Sequence, residues 1–126
     1  MKEKLTILLL DDEPNNVYSL KGYLRREFNV LSFTQVSDAL ENLELHDIHI
    51  IIADQKMPQM LGLDFLNICR TVKPNAFRIL ISAHVESDKV KKALHDNTIY
   101  FFAPKPIDWL AFDTAIESIL KLISTT

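Results

Sequence analysis

A doubly wound α/β fold, five parallel strands with helices on both faces, is what this sequence predicts. Three observations carry it. Five short apolar runs recur roughly every two dozen residues. Several of the segments between them space apolar residues at i, i+3, i+4 and i+7, the period of a helix with one buried stripe. The runs themselves do not alternate apolar with polar, so both of their faces are buried, as in a parallel sheet covered on two sides.

Leu5–Leu10 reads as the first strand and stops at Asp11-Asp12-Glu13. Pro14 suits the first turn of a helix, where its missing N–H costs nothing, and Val17, Leu20, Leu24 and Phe28 mark that helix's stripe. Asn29–Phe33 is a second, more mixed run, followed by a helix marked by Ala39, Leu40 and Leu43. Ile48–Ala53, apolar but for His49, above all reads as a central strand; Asp54 follows it directly and Pro58 prevents the strand from continuing. Phe65, Ile68, Cys69 and Val72 trace the third helix, ended by Lys73-Pro74-Asn75. Phe77–Ser82 is the fourth strand, Val90, Ala93 and Leu94 mark the fourth helix, and Ile99–Ala103 is a mixed fifth strand. Asp108 is placed to cap the last helix, where Phe112, Ala115, Ile116, Ile119, Leu120 and Ile123 keep the helical rhythm over three turns. Uniform first and third runs belong at the centre and mixed second and fifth runs at the margins. That is the flavodoxin-like strand order 2-1-3-4-5, whose ligands bind beyond the carboxyl ends of the strands, at the switch point between strands one and three.

With 126 residues, 48% hydrophobic and 25% charged, residues 1–126 form one ordinary domain with a core that needs no disulfide or structural metal. Cys69 is the single cysteine, so no internal disulfide forms, in keeping with a reducing cytoplasm. A net charge of −3 gives no field for nucleic acid or an anionic membrane. The run Ile7–Leu10 is too short for a signal sequence, and nothing approaches a membrane span of about 20 residues. The expectation is a cytoplasmic protein that engages neither membrane nor nucleic acid directly.

The residues that end the runs carry the chemistry. Asp11-Asp12-Glu13, Asp54, Ser82-Ala83 and Lys105-Pro106 follow strands one, three, four and five, and therefore meet at one rim of the sheet. Singly, each has a plain explanation: an acidic cluster favoured by a helix dipole, a turn aspartate, a capping serine, a surface lysine. Together they form a site. Three crowded carboxylates oppose one another's ionisation, and a divalent cation removes the conflict. Carboxylates with a carbonyl and waters suit Mg2+. The cation and Lys105 would frame a slot beside Asp54 for a phosphoryl group, with Ser82 sharing its oxygens. A carboxylate there can attack phosphorus and carry the group as an acyl phosphate.

In order and spacing, Asp11-Asp12-Glu13-Pro14, Asp54-x-x-Met57-Pro58 with Gly62, Ile81-Ser82-Ala83 and Lys105-Pro106 resemble the receiver domain of two-component response regulators, over essentially the whole chain. The resemblance implies that Asp54 accepts a phosphoryl group from a histidine kinase or histidine phosphotransfer protein. It implies that Asp12 binds Mg2+ directly and Asp11 mainly through water, with Asp54 and the Lys56 carbonyl completing the protein ligands. Lys105 would contact the phosphoryl oxygens, Ser82 would swing toward them, and Phe102 stands where the family's switch aromatic stands. The Lys105-Pro106 bond is expected to be cis. Lys56 and His84, two residues beyond the acceptor and the switch hydroxyl, would flank the path of the hydrolytic water and tune a slow autodephosphorylation. Beyond that self-directed chemistry the chain is expected to be a signalling domain, not an enzyme.

The sequence departs from the family pattern in places. His95-Asp96-Asn97-Thr98 replaces the frequent Gly-Ala, and the Ile99-Tyr100 that follows resembles a subgroup often attached to cyclic-dinucleotide phosphodiesterase or kinase modules. Pro104 is unusual before Lys105, and Gly22 and Gly62 are the only glycines. The sequence stops at Thr126, so a single-domain regulator or a fragment of a longer one is expected. Its output surface would be the fourth helix, fifth strand and fifth helix, offered to an unidentified effector domain, a partner protein or a second copy in a homodimer. Asp88, Lys89, Lys91, Lys92, Asp113, Glu117 and Lys121 supply mixed charge there, and Trp109 and Tyr100 are candidate anchors. The competing reading is a receiver-like interaction module working without phosphate, against which stands the presence of all five site residues. A first-strand hydrolase would want Asp-x-Asp, and a flavin carrier a Ser/Thr/Gly-rich first loop; Asp11-Asp12-Glu13 serves neither.

Overall fold

The computed structural model describes residues 4–83 and 87–125. Strands and helices alternate without exception: β1 (Thr6–Leu10), α1 (Pro14–Leu24), β2 (Asn29–Phe33), α2 (Val36–Leu45), β3 (Ile50–Asp54), α3 (Gly62–Val72), β4 (Phe77–Ser82), α4 (Asp88–His95), β5 (Phe101–Pro104) and α5 (Trp109–Ser124). All pairings are parallel and the sheet order is β2-β1-β3-β4-β5, as the run composition predicts.

The uniform runs are buried on both faces because successive side chains point to opposite sides. Leu8, Leu10, Ile51, Ala53 and Leu80 pack beneath α2, α3 and α4. Ile7, Leu9, Ile50, Ile52, Ile79 and Ile81 pack beneath α1 and α5. Ile50, Ile51 and Ile52 are all 0% exposed, and each contributes about 1.5–3 kcal/mol by leaving water. The register aligns Leu10 with Ala53, Asp54 with Ile81 and Ser82 with Pro104, so the carboxyl ends of four strands meet at one edge.

Two local expectations are corrected. The buried face of α3 comprises Gly62, Leu63, Phe65, Leu66 and Cys69, whereas Ile68 is 37% exposed. The sheet lies under the 62/65/66/69 stripe, which leaves Ile68 on its flank. β5 begins at Phe101 instead of Ile99, because the Ile99 N–H turns back to the Ala93 carbonyl at 3.2 Å. It extends to Pro104, whose missing N–H is tolerated at the end of an edge strand.

Candidate functional site

β1 leads directly into Asp11, β3 ends on Asp54, β4 ends on Ser82, and Lys105 follows β5. Asp11, Asp54 and Ser82 are buried, at 5%, 7% and 4% exposure, so the site is a pit at the sheet edge more than an open surface. Lys105 reaches into it: its Nζ lies 2.7 Å from Asp54 Oδ1 and 3.7 Å from Asp11 Oδ2. The lysine's backbone is fixed by its own N–H, which donates to the Ser82 carbonyl at 2.8 Å. The Lys105-Pro106 peptide is cis.

Asp11 is held by the Glu13 N–H, which donates to its Oδ1 at 3.0 Å. Burial pushes its pKa above the ordinary carboxylate value, and repulsion from Asp54 adds to this; the Glu13 N–H and Lys105 oppose the shift without cancelling it. Burial by itself pulls Lys105 down. Its hydrogen bond to Asp54 and the attraction of Asp11 and Asp54 outweigh that, so its pKa is raised. The ammonium stays charged and partly neutralises two carboxylates.

Asp11, Asp12 and Asp54 each place a carboxylate oxygen within 4.8 Å of the others, the one such group of potential metal ligands among the described residues. Three carboxylates gathered this closely, two of them buried, form an oxygen donor set that fits a hard divalent cation such as Mg2+. Lys56 is exposed on the loop beyond Asp54. Phe102 is half-buried and packs against the core beneath α2, α3 and α4. His84 lies outside the described residues.

The loop after Asp54 is pinned in part by Gln55, which carries no obvious sequence signal. The Gln55 N–H donates to the Ile81 carbonyl at 2.8 Å, and the Gln55 side-chain oxygen accepts from the Leu63 N–H at 2.8 Å, capping α3 from a distance. Gly62 lets the helix approach: a Cβ on it would lie 2.3 Å from the Asp54 carbonyl oxygen. Met57 is buried against the α2–α3 side of the core and anchors the loop.

The model of the response regulator receiver domain matches residues 7–117. The chain belongs to this family, the phosphoacceptor domains of two-component signalling. It is 37% identical over 118 residues to the hydrogenase transcriptional regulatory protein HoxA of Bradyrhizobium diazoefficiens, covering 94% of this chain and 24% of that protein. It is 28% identical over 130 residues to sporulation initiation phosphotransferase F of Bacillus subtilis, covering 98% of both. The receiver thus spans about a quarter of the first relative and nearly all of the second. A CheY-like receiver domain protein from Methanospirillum hungatei shares the fold with a TM-score of 0.86 at 18% identity, over 98% of this chain and 100% of that one.

Trp109 and Tyr100, the candidate anchors, are each 39% exposed. Trp109 leans on α1, its ring 4.1 Å from that of Tyr23 between centroids. Tyr100 stands edge-on to Phe77. No helix of the described residues is long and apolar enough to cross a membrane.

Proposed function

We propose that Asp54 is the phosphoacceptor of this receiver, with Asp11, Asp12, Asp54 and the Lys56 carbonyl as the Mg2+ ligands. The observation that carries this reading is the convergence on Asp54: an ammonium at 2.7 Å and two further carboxylates within metal-sharing distance. Mg2+, when bound, would neutralise the carboxylates and the incoming phosphoryl oxygens. In the transfer, a carboxylate oxygen of Asp54 forms a bond to phosphorus as the P–N bond of a phosphohistidine breaks. The electron pair leaves with the imidazole, and no redox partner is needed. Lys105 then exchanges its hydrogen bond to the Asp54 carboxylate for the phosphoryl oxygens.

The donor is a histidine kinase or histidine phosphotransfer protein in the cytoplasm. Ser82 and Phe102 relay the change to the α4–β5–α5 face, which an effector domain, a partner or a second copy reads. Lys56 and His84 set the lifetime of the acyl phosphate through its autodephosphorylation. To test the acceptor, incubate the protein with Mg2+ and acetyl phosphate and follow intact mass. A phosphoryl gain that Asp54→Asn abolishes is expected; no gain in the wild type, or equal gain in the variant, overturns the proposal and favours a module that works without phosphate.

A further inference from the structure

The edge of the sheet opposite the acids holds a buried cation that phosphoryl transfer does not use. Arg78, on β4, is 7% exposed, and among the described residues it makes no ion pair. Its guanidinium donates instead to main-chain carbonyls: Nε to Thr98 at 2.7 Å, Nη2 to Asn97 at 2.9 Å and Nη1 to Ala76 at 2.9 Å, with the Pro74 and Lys73 carbonyls at 3.4 and 3.5 Å. A buried guanidinium needs compensation. These carbonyls supply it, because Lys73 caps the C-terminus of α3 and Asn97-Thr98 follow Asp96, the cap of α4. The nearby C-terminal ends of the two helices also favour a cation.

The same turn is tied a second time. Arg70 Nη1 donates to Thr98 Oγ1 at 3.1 Å, while the Thr98 hydroxyl and N–H both donate to Asp96 Oδ1, at 2.7 and 3.0 Å. Asn97 has φ 67°, the left-handed conformation that ends a helix cleanly. Among the described residues, the other end of α4 has one side-chain bond, the Ser87 hydroxyl accepting from the Val90 N–H at 3.3 Å, and the helix buries Val90 and Ala93.

We propose that Arg78 staples the C-terminal end of α4 to α3 and β5, making α4 a lever that pivots at Asn97 and moves at its Ser87 end. Arg78 is a positioning residue in this scheme. The staple belongs to the unmodified domain; its use in signalling rests on the phosphoacceptor reading above.

Residue-resolved amide hydrogen exchange tests it. In the unmodified wild type, the N–H groups of Asp96, Thr98, Ile99 and Tyr100 are expected to exchange about ten-fold or more slowly than those of Val90 and Lys91. Arg78→Lys keeps a charge but cannot span both loops; it is expected to lower protection at residues 96–100 by about ten-fold while leaving β1 and β3 unchanged. Thr98→Val, which removes the hydroxyl's bonds to Arg70 and Asp96 and leaves the Arg78 contacts and the 3.8 Å Arg70–Asp96 ion pair in place, keeps the test available should Arg78→Lys fail to fold, with a loss of a few-fold expected. After acetyl phosphate treatment, exchange is expected to change at 87–91 and to stay constant at 96–100. Uniform exchange along α4 in the wild type, unchanged protection at 96–100 in a folded variant, or equal phosphorylation-induced change at both ends each overturns the proposal. Absence of a phosphoryl mass gain overturns the acceptor reading alone, because the gradient and the variants are measured on unmodified protein.

Discussion

Replacing Gly62 with alanine sets a methyl carbon 2.3 Å from the Asp54 carbonyl oxygen, 2.9 Å from the Asp54 carbonyl carbon and 2.9 Å from Leu80 Cδ1. Optimal contact between carbon atoms is about 3.5–4.0 Å, so the first approach is short by roughly 1 Å. Leu80 can turn aside, but the Asp54 carbonyl belongs to the central strand, on the residue proposed above as the acceptor. Helix α3 must lift or the strand end must shift. Alanine is intrinsically better than glycine within a helix by about 1 kcal/mol, while overpacking against backbone costs about 1–3 kcal/mol or more. The net expectation for Gly62→Ala is a loss of about 1–2 kcal/mol. Gly22 in α1 supplies the control, since a Cβ there meets nothing within 4 Å. Gly22→Ala is therefore expected to stabilise by about 0.5–1 kcal/mol. Urea unfolding of the two variants beside the wild type decides the matter. Because the strand end and the proposed acceptor are one residue, Gly62→Ala should also slow phosphorylation by acetyl phosphate, while Gly22→Ala leaves it unchanged. A Gly62→Ala protein as stable as Gly22→Ala refutes the close approach of α3 to Asp54.

Three further outcomes are expected. Mg2+ should raise the unfolding midpoint, by about 1.4 kcal/mol when present at ten times its dissociation constant; Asp12→Asn should shrink that shift at the same metal concentration, and an equal shift would place the cation elsewhere. Burial pushes the Cys69 thiol up to about 12, above its ordinary 9.0. A thiol whose folded pKa is raised keeps its full contribution below pH 9 and loses it as pH rises toward 12, by at most about 1.4 kcal/mol per pH unit. Wild type should therefore lose more stability than Cys69→Ala across that window, and its thiol should resist alkylation at pH 8 until unfolded. Tyr23 Oη donates to Asp113, 2.6 and 2.7 Å from its two carboxylate oxygens, and this bond chiefly raises the phenol above its ordinary 10.0. Ultraviolet titration should show Tyr23 deprotonating late, and Asp113→Asn should bring it down.

The sequence disclosed the acidic rim because parallel strands send all their carboxyl ends to one edge. Locating the ends of four apolar runs therefore locates Asp11, Asp54, Ser82 and Lys105 together, before any side-chain geometry is known. Less was visible wherever the answer depended on how a helix sits on the sheet. Around α3, the stripes 65/68/69/72 and 62/65/66/69 share Phe65 and Cys69, and Ile68 is as apolar as Leu66. Only docking against β3 chose the second and left Ile68 half in water. Gly62 reads as a motif glycine, but its necessity comes from the Asp54 carbonyl beneath it. Asn97 did carry a signal, an asparagine just past a helix end, the place for a left-handed residue. Arg78 carried none: inside Phe77–Ser82 it looks like a charge interrupting a strand, because its partners are carbonyls of two distant loops. The two edges of the sheet then solve one problem in opposite ways. At the carboxyl edge, clustered acids are balanced incompletely by Lys105, which suits the cation and phosphoryl group proposed above. At the amino edge, a buried cation is met by main-chain carbonyls of the α3–β4 and α4–β5 loops.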